Sequence, residues 1–191
     1  MSTFFKDVDF NVILFYMKKY VLTGGPSIGK TTLIEILAST GHSIVPESAR
    51  MIIEEERVKD SDILPWKNIE KFQERVAEKQ IELENDVDES EKTIFLDRSI
   101  VDGTGYCKLG NIETPKIIDE IARNRYDKIF VLDPLLHFEN DGLRFEDIEQ
   151  AKNVHQHIID AYKYYGYELI FVPVLPPNER VGYILERIEQ D

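Results

Sequence analysis

The segment Gly24-Gly25-Pro26-Ser27-Ile28-Gly29-Lys30-Thr31 restricts what this chain can become more than any other. It satisfies the spacing G-x-x-x-x-G-K-[ST]. Glycines at these positions let backbone N–H groups turn inward around an anion, and the N-terminus of a following helix adds its positive dipole. Residues 20–23 read as a buried strand entering the loop, and residues 32–38 as a helix leaving it. That is the context the motif requires. The spacing therefore points to a nucleoside-triphosphate site, ATP or GTP. Its lining runs from Gly24 to Thr31 and on to Thr32, with Lys30 on the β- and γ-phosphates and the Thr31 hydroxyl on Mg²⁺.

Charge narrows the partners. The chain carries 36 acidic and 23 basic side chains, a formal net charge of −13. That balance argues against a nucleic-acid partner, since backbone affinity comes from Lys and Arg displacing counterions. A small phosphorylated ligand needs only a local cluster of donors. With 42% hydrophobic residues in 191, the chain can build a real core,. A lone cysteine, Cys107, excludes an internal disulfide and fits a reducing compartment,.

No stretch reaches the roughly 18–20 apolar residues of a membrane span. The nearest, 10–16, is interrupted by Asn11 and preceded by Asp7 and Asp9. The expectation is a cytoplasmic protein. Residues 1–18 read as an extension, either an extra edge strand or the product of a start placed too early. Met17-Lys18-Lys19 ahead of a buried strand looks like a natural beginning.

From residue 19 to 191 the pattern is one α/β domain. Strand-like runs at 19–23, 43–45, 93–97, 128–133 and 168–172 alternate with helical patterns at 31–39, 47–58, 67–86, 114–124, 146–164 and 177–189. Such alternation predicts a mostly parallel five-stranded sheet with helices on both faces. A phosphate loop of this kind also expects a carboxylate at the end of a neighbouring strand, to hold the Mg²⁺ shell. Asp97 and Asp133 both end apolar strands. Asp97 is preferred because Arg98-Ser99 follows it and would put a cation beside the phosphates.

Several short elements then line up with a known family. Asp97-Arg98-Ser99 resembles the D/E-R-S element of thymidylate and deoxynucleoside kinases. Pro46-Glu47-Ser48-Ala49-Arg50 resembles the Glu-x-Ala-Arg stretch of the P-loop kinase and ATPase family grouped with the nicotinamide riboside kinase domain. Phe72-Gln73 is similar to the substrate-contacting helix of nucleoside kinases, and Asp141-Gly142-Leu143-Arg144 to a D-G-x-R lid entry. The resemblance implies a P-loop NTPase three-layer sandwich with a helical lid, and the phosphate-loop strand beside the Asp97 strand. It also implies an ATP- and Mg²⁺-dependent kinase of a small metabolite, nucleoside- or nucleotide-like.

Roles follow from position. Glu47 lies at the carboxyl edge of the second strand, where ligands bind in such sheets. There it could take the proton of an acceptor hydroxyl, or merely cap the next helix. Arg50, one turn on, either faces the cleft as a phosphate ligand or pairs with Glu47 or Glu54. Arg98 and Arg144 are candidate charge stabilisers, since a guanidinium fork suits phosphate oxygens. Arg144 would act from a lid. Gln73 could hydrogen-bond a base or amide of the substrate. Asp102 could do the same or pair with Arg98.

Other features carry less. His155 and His157 are two apart, which separates them on a helix, so a metal pair is not expected. The tyrosines at 162, 164, 165 and 167 read as packing, as does Cys107. The competing function is a nucleotide-hydrolysing switch or partner-binding ATPase with no small acceptor.

Overall fold

The computed structural model describes residues 17–134 and 145–189. Five strands, β1 (Lys18–Thr23), β2 (Ser43–Val45), β3 (Thr93–Asp97), β4 (Lys128–Leu132) and β5 (Leu169–Val172), form one sheet in the order β2-β3-β1-β4-β5. Every pairing is parallel. The helices are α1 (Lys30–Ser39), α2 (Ser48–Val58), α3 (Ile69–Asn85), α4 (Ile100–Leu109), α5 (Lys116–Ile121), α6 (Phe145–Tyr164) and α7 (Pro177–Ile188). The strand carrying the phosphate loop does lie beside the Asp97 strand, with Leu22 opposite Asp97.

Strand alternation sorts the core into two faces. Val21, Leu96, Ile129 and Val131 point to one side, where Ala77, Ile118 and Ile158 of α3, α5 and α6 cover them. Tyr20, Leu22, Phe95 and Phe130 point to the other, against Leu33, Leu37 and Ile184 of α1 and α7. The result is the three-layer sandwich that the alternating pattern and the resemblance implied.

Helix α4 has no counterpart among the sequence-predicted elements. Its residues include Gly103 and Gly105, which weaken a helix in isolation. Packing explains both. A Cβ at Gly105 would stand 2.9 Å from Ile158 Cα and N of α6, and one at Gly103 would stand 3.0 Å from Ile118 Cδ1. The start of α4 is fixed by a capping box, with Ser99 and Asp102 each bonded to the other's backbone end of the turn,.

At the amino ends of the strands, away from the phosphate loop, Glu84 is buried among donors. Its carboxylate accepts from Lys19 Nζ (2.9 Å), Arg125 Nε (3.0 Å) and the Tyr126 hydroxyl (3.0 Å). This network joins α3 to β1 and to the segment leading into β4. No helix among the described residues is long and apolar enough to cross a membrane. Residues 1–16 and the lid entry with Arg144 lie outside the described residues.

Candidate active site

The loop between β1 and α1 takes the shape its glycines permit. Gly24 has φ 125° and Gly29 φ 90°, a region open to glycine and strained for other residues. A side chain at Gly24 would also collide with Ile28 Cδ1 at 2.6 Å. Lys30 Nζ turns back into the loop and donates to the carbonyls of Gly25 (2.5 Å) and Gly24 (3.3 Å). Burial, with repulsion from Arg98, lowers its pKa to about 7. A phosphate beside this nitrogen would favour its charged form.

Beside the loop, the Thr31 hydroxyl donates to Asp97 Oδ2 at 3.3 Å. Asp97 Oδ1 is buried with no hydrogen-bond partner among the described residues. Burial, and then the charge of Glu47, push the Asp97 carboxyl above its usual range. An orphaned carboxylate oxygen next to a hydroxyl is the oxygen-donor set that Mg²⁺ takes. The backbone of Asp133 is bound on the other side of the sheet order, its N–H donating to Val172 O of β5 and its carbonyl accepting from Arg180 Nη2. Of the two strand-end aspartates, only Asp97 meets Thr31.

Arg98 sits at the turn from β3 to α4 with φ 70°, a costly conformation for a side-chain-bearing residue, of the kind that gathers at functional sites. Its N–H donates to Leu22 O, and its side chain donates to Glu47 Oε1 (2.9 Å), Asp102 Oδ1 (3.0 Å) and Gly24 O (3.0 Å). The Tyr106 ring lies 5.7 Å from the guanidinium. Glu47 stands at the N-cap position of α2 yet makes no capping bond with its side chain. Its Oε1 is bound to Arg98, and Oε2 has no partner among the described residues.

Two cavities meet at these residues. One, of about 550 Å³, runs along Ser27, Lys30, Thr31 and Thr32 and reaches Arg50. The other, of about 210 Å³, is walled by Ile53, Ile69, Phe72, Gln73 and Val76. Glu47, Arg98 and Tyr106 line both. Gln73 is 4% exposed, with its amide toward the second cavity and no hydrogen-bond partner among the described residues. Arg50 is exposed, lines the phosphate cleft and forms no ion pair among the described residues. It pairs with neither Glu47 nor Glu54.

Asp102 lines the second cavity from below Arg98 and is engaged on every side. It is 3% exposed, and its oxygens accept from Thr23 (2.6 Å), Arg98, Tyr162 (2.6 Å) and the Ser99 N–H (3.1 Å). The alternative read from sequence, that it pairs with Arg98, describes its position. Tyr162, one of the tyrosines read as packing, is buried there as a donor.

Three residues at the site were not among the candidate site residues picked out in the sequence. Tyr106 bridges the cavities from α4. His155 on α6 accepts at Nδ1 from the Gly25 N–H at 3.0 Å. Arg180 on α7 donates to the carbonyls of Ile28 (2.9 Å), Asp133 (2.9 Å) and Pro173 (2.8 Å). An S-x-x-D capping box at Ser99 would have announced α4 and with it Tyr106; the other two depend on long-range folding.

A family model described as an AAA domain matches residues 19–180. The chain belongs to that family. Among solved structures, this AAA domain is similar to the NadR protein in complex with NR, at 20% identity and a TM-score of 0.69, over 92% of this chain and 50% of that one. It is similar to thymidylate kinase from Candida albicans, at 15% identity and a TM-score of 0.59, over 91% and 92% of the two chains. It is also similar to shikimate kinase from Acinetobacter baumannii in complex with shikimate, at 19% identity and a TM-score of 0.51, over 91% and 94%. At these identities the shared property is the P-loop kinase fold. The AAA domain spans about half the length of the NadR chains it matches. No curated protein matches the chain in sequence.

Proposed function

We propose that this chain transfers the terminal phosphoryl group of a Mg²⁺-bound nucleoside triphosphate to a hydroxyl of a small nucleoside-like metabolite. The observation that carries this reading is the second cavity, which opens onto the phosphate cleft at Glu47, Arg98 and Tyr106. Hydrolysis alone needs only water there; a walled apolar pocket with one unpartnered amide suits a bound acceptor. The fold's similarity to NadR bound to NR and to shikimate kinase bound to shikimate supports the same reading.

Charge favours a hydroxyl acceptor over a phosphate one. Among the described residues, the only cation lining the second cavity is Arg98, already shared between Glu47 and Asp102. Among those residues a dianionic acceptor phosphate would meet two carboxylates and no unpaired cation.

In this mechanism the loop N–H groups and Lys30 hold the β- and γ-phosphates. Thr31 and Asp97 would hold Mg²⁺, which supplies charge neutralisation on the transferring group when bound. Glu47 accepts the acceptor's proton through Oε2 as the acceptor oxygen bonds to the γ-phosphorus. The bond from that phosphorus to the bridging oxygen breaks, and the diphosphate departs. Arg98 keeps Glu47 aimed and faces the developing charge. Gln73 reads the acceptor's polar edge, and Arg50 steadies phosphate oxygens from the open side.

The test is a turnover screen with ATP, Mg²⁺ and a panel of nucleosides, ribosides and nucleotides, with mass spectrometry of products and Lys30→Ala as control. An acceptor gaining one phosphoryl group, lost in the control, is the expected result. ADP and free phosphate alone across the panel would replace the kinase with a nucleotide-hydrolysing switch.

A further inference from the structure

One peptide unit of the phosphate loop is held at both ends. The Gly24 carbonyl accepts from Arg98 Nη1 and Lys30 Nζ, and the N–H on the far side of the same peptide, that of Gly25, donates to His155 Nδ1. A peptide between two glycines rotates more freely than one flanked by residues that carry a Cβ. The backbone of α6 also closes on it: a Cβ at Gly25 would stand 3.0 Å from Ala151 O.

We propose that His155 is a positioning residue for triphosphate binding, fixing the Gly24–Gly25 peptide so that its carbonyl faces Arg98 and Lys30. The proposal rests on the loop being a triphosphate site, as argued above. With the acceptor at 155 removed, the peptide rotates in the empty protein, and binding must then order it again. The effect falls on affinity, because His155 touches neither the transferring group nor the acceptor cavity. It requires a neutral ring with the lone pair on Nδ1. Burial keeps the imidazole below its ordinary pKa, against the pull of Asp133 after β4 and with the help of Lys30 at the start of α1.

The experiment is calorimetric titration of a non-hydrolysable ATP analogue with Mg²⁺ into wild type, His155→Ala and His155→Asn, with melting temperatures and steady-state kinetics for each. Asn places an acceptor oxygen near the position of Nδ1. The expected result is about a tenfold weaker Kd and a raised KM for the Ala variant, the scale of one lost hydrogen bond, with kcat little changed. His155→Asn should stay within about twofold of wild type and lose the acid-side fall in affinity that protonation of His155 causes. Unchanged affinity in His155→Ala, or Asn as weak as Ala at equal melting temperature, overturns the proposal. Failure of the wild type to bind the analogue overturns the triphosphate reading itself.

Discussion

Asp102 holds Arg98 from beneath: its Oδ1 lies 3.0 Å from Nη1, while its Oδ2 takes the Tyr162 hydroxyl at 2.6 Å. The pair is almost wholly inside the protein, so neither charge has water to fall back on. Removing one partner strands the other. Asp102→Ala should cost about 3–5 kcal/mol of stability, read by chemical denaturation. Asp102→Asn keeps the shape and should lose less stability than activity, because Glu47 is then the one carboxylate left on Arg98 among the described residues.

Lys30 should titrate differently once a triphosphate is bound. Its folded pKa of about 7 lies below the ordinary 10.5, chiefly through burial. Between those values the unfolded chain binds the extra proton, so this group makes the empty protein more stable as pH rises through that window. A triphosphate should restore the ammonium. Calorimetry at pH 8 in buffers of different ionisation enthalpy should therefore show proton uptake on binding, and Lys30→Arg should abolish it.

Two glycines separate packing from propensity. Gly105→Ala drives a methyl into the α6 backbone and should destabilise by about 1–3 kcal/mol. Gly182, inside α7 with nothing within 4 Å of its added Cβ, is free of that conflict. Gly182→Ala should stabilise by about 0.5–1 kcal/mol. Melting curves of the two variants should move in opposite directions.

Glu84 provides a distal control. Its carboxylate serves Lys19, Arg125 and Tyr126 at the amino ends of the strands. Glu84→Ala should lower stability by about 3–5 kcal/mol while leaving the KM for ATP within error at a temperature where the variant is folded.

What could be read in the chain beforehand was whatever is local. The glycine spacing at 24–31 and the strand ending in Asp97 carry their chemistry within a few residues. Alternating apolar runs announced all five strands, although β4 stops at Leu132 and leaves Asp133 to the turn. Helix α5 is shorter than its pattern, confined between Pro115 and a turn in which Asn124 has φ 56°. The misses are non-local. Gly103 and Gly105 argue against a helix until α5 and α6 are seen pressed against them. His155 lies 130 residues from the glycine whose N–H it accepts, and Arg180 reaches Ile28 across 152. Partners that far apart leave no spacing to recognise.

The backbone contact between α4 and α6 at Gly105 and Ile158 has a mechanical meaning. Helices packed that closely slide past one another only by lifting side chains out of a dense interior. One of them begins just after Arg98, and the other carries His155. Arg98, where the two cavities meet, and His155, bonded to Gly25 of the phosphate loop, are thus mounted on a single stiff frame. Arg50 reaches the phosphate cleft from outside that frame, on α2, which packs on α3.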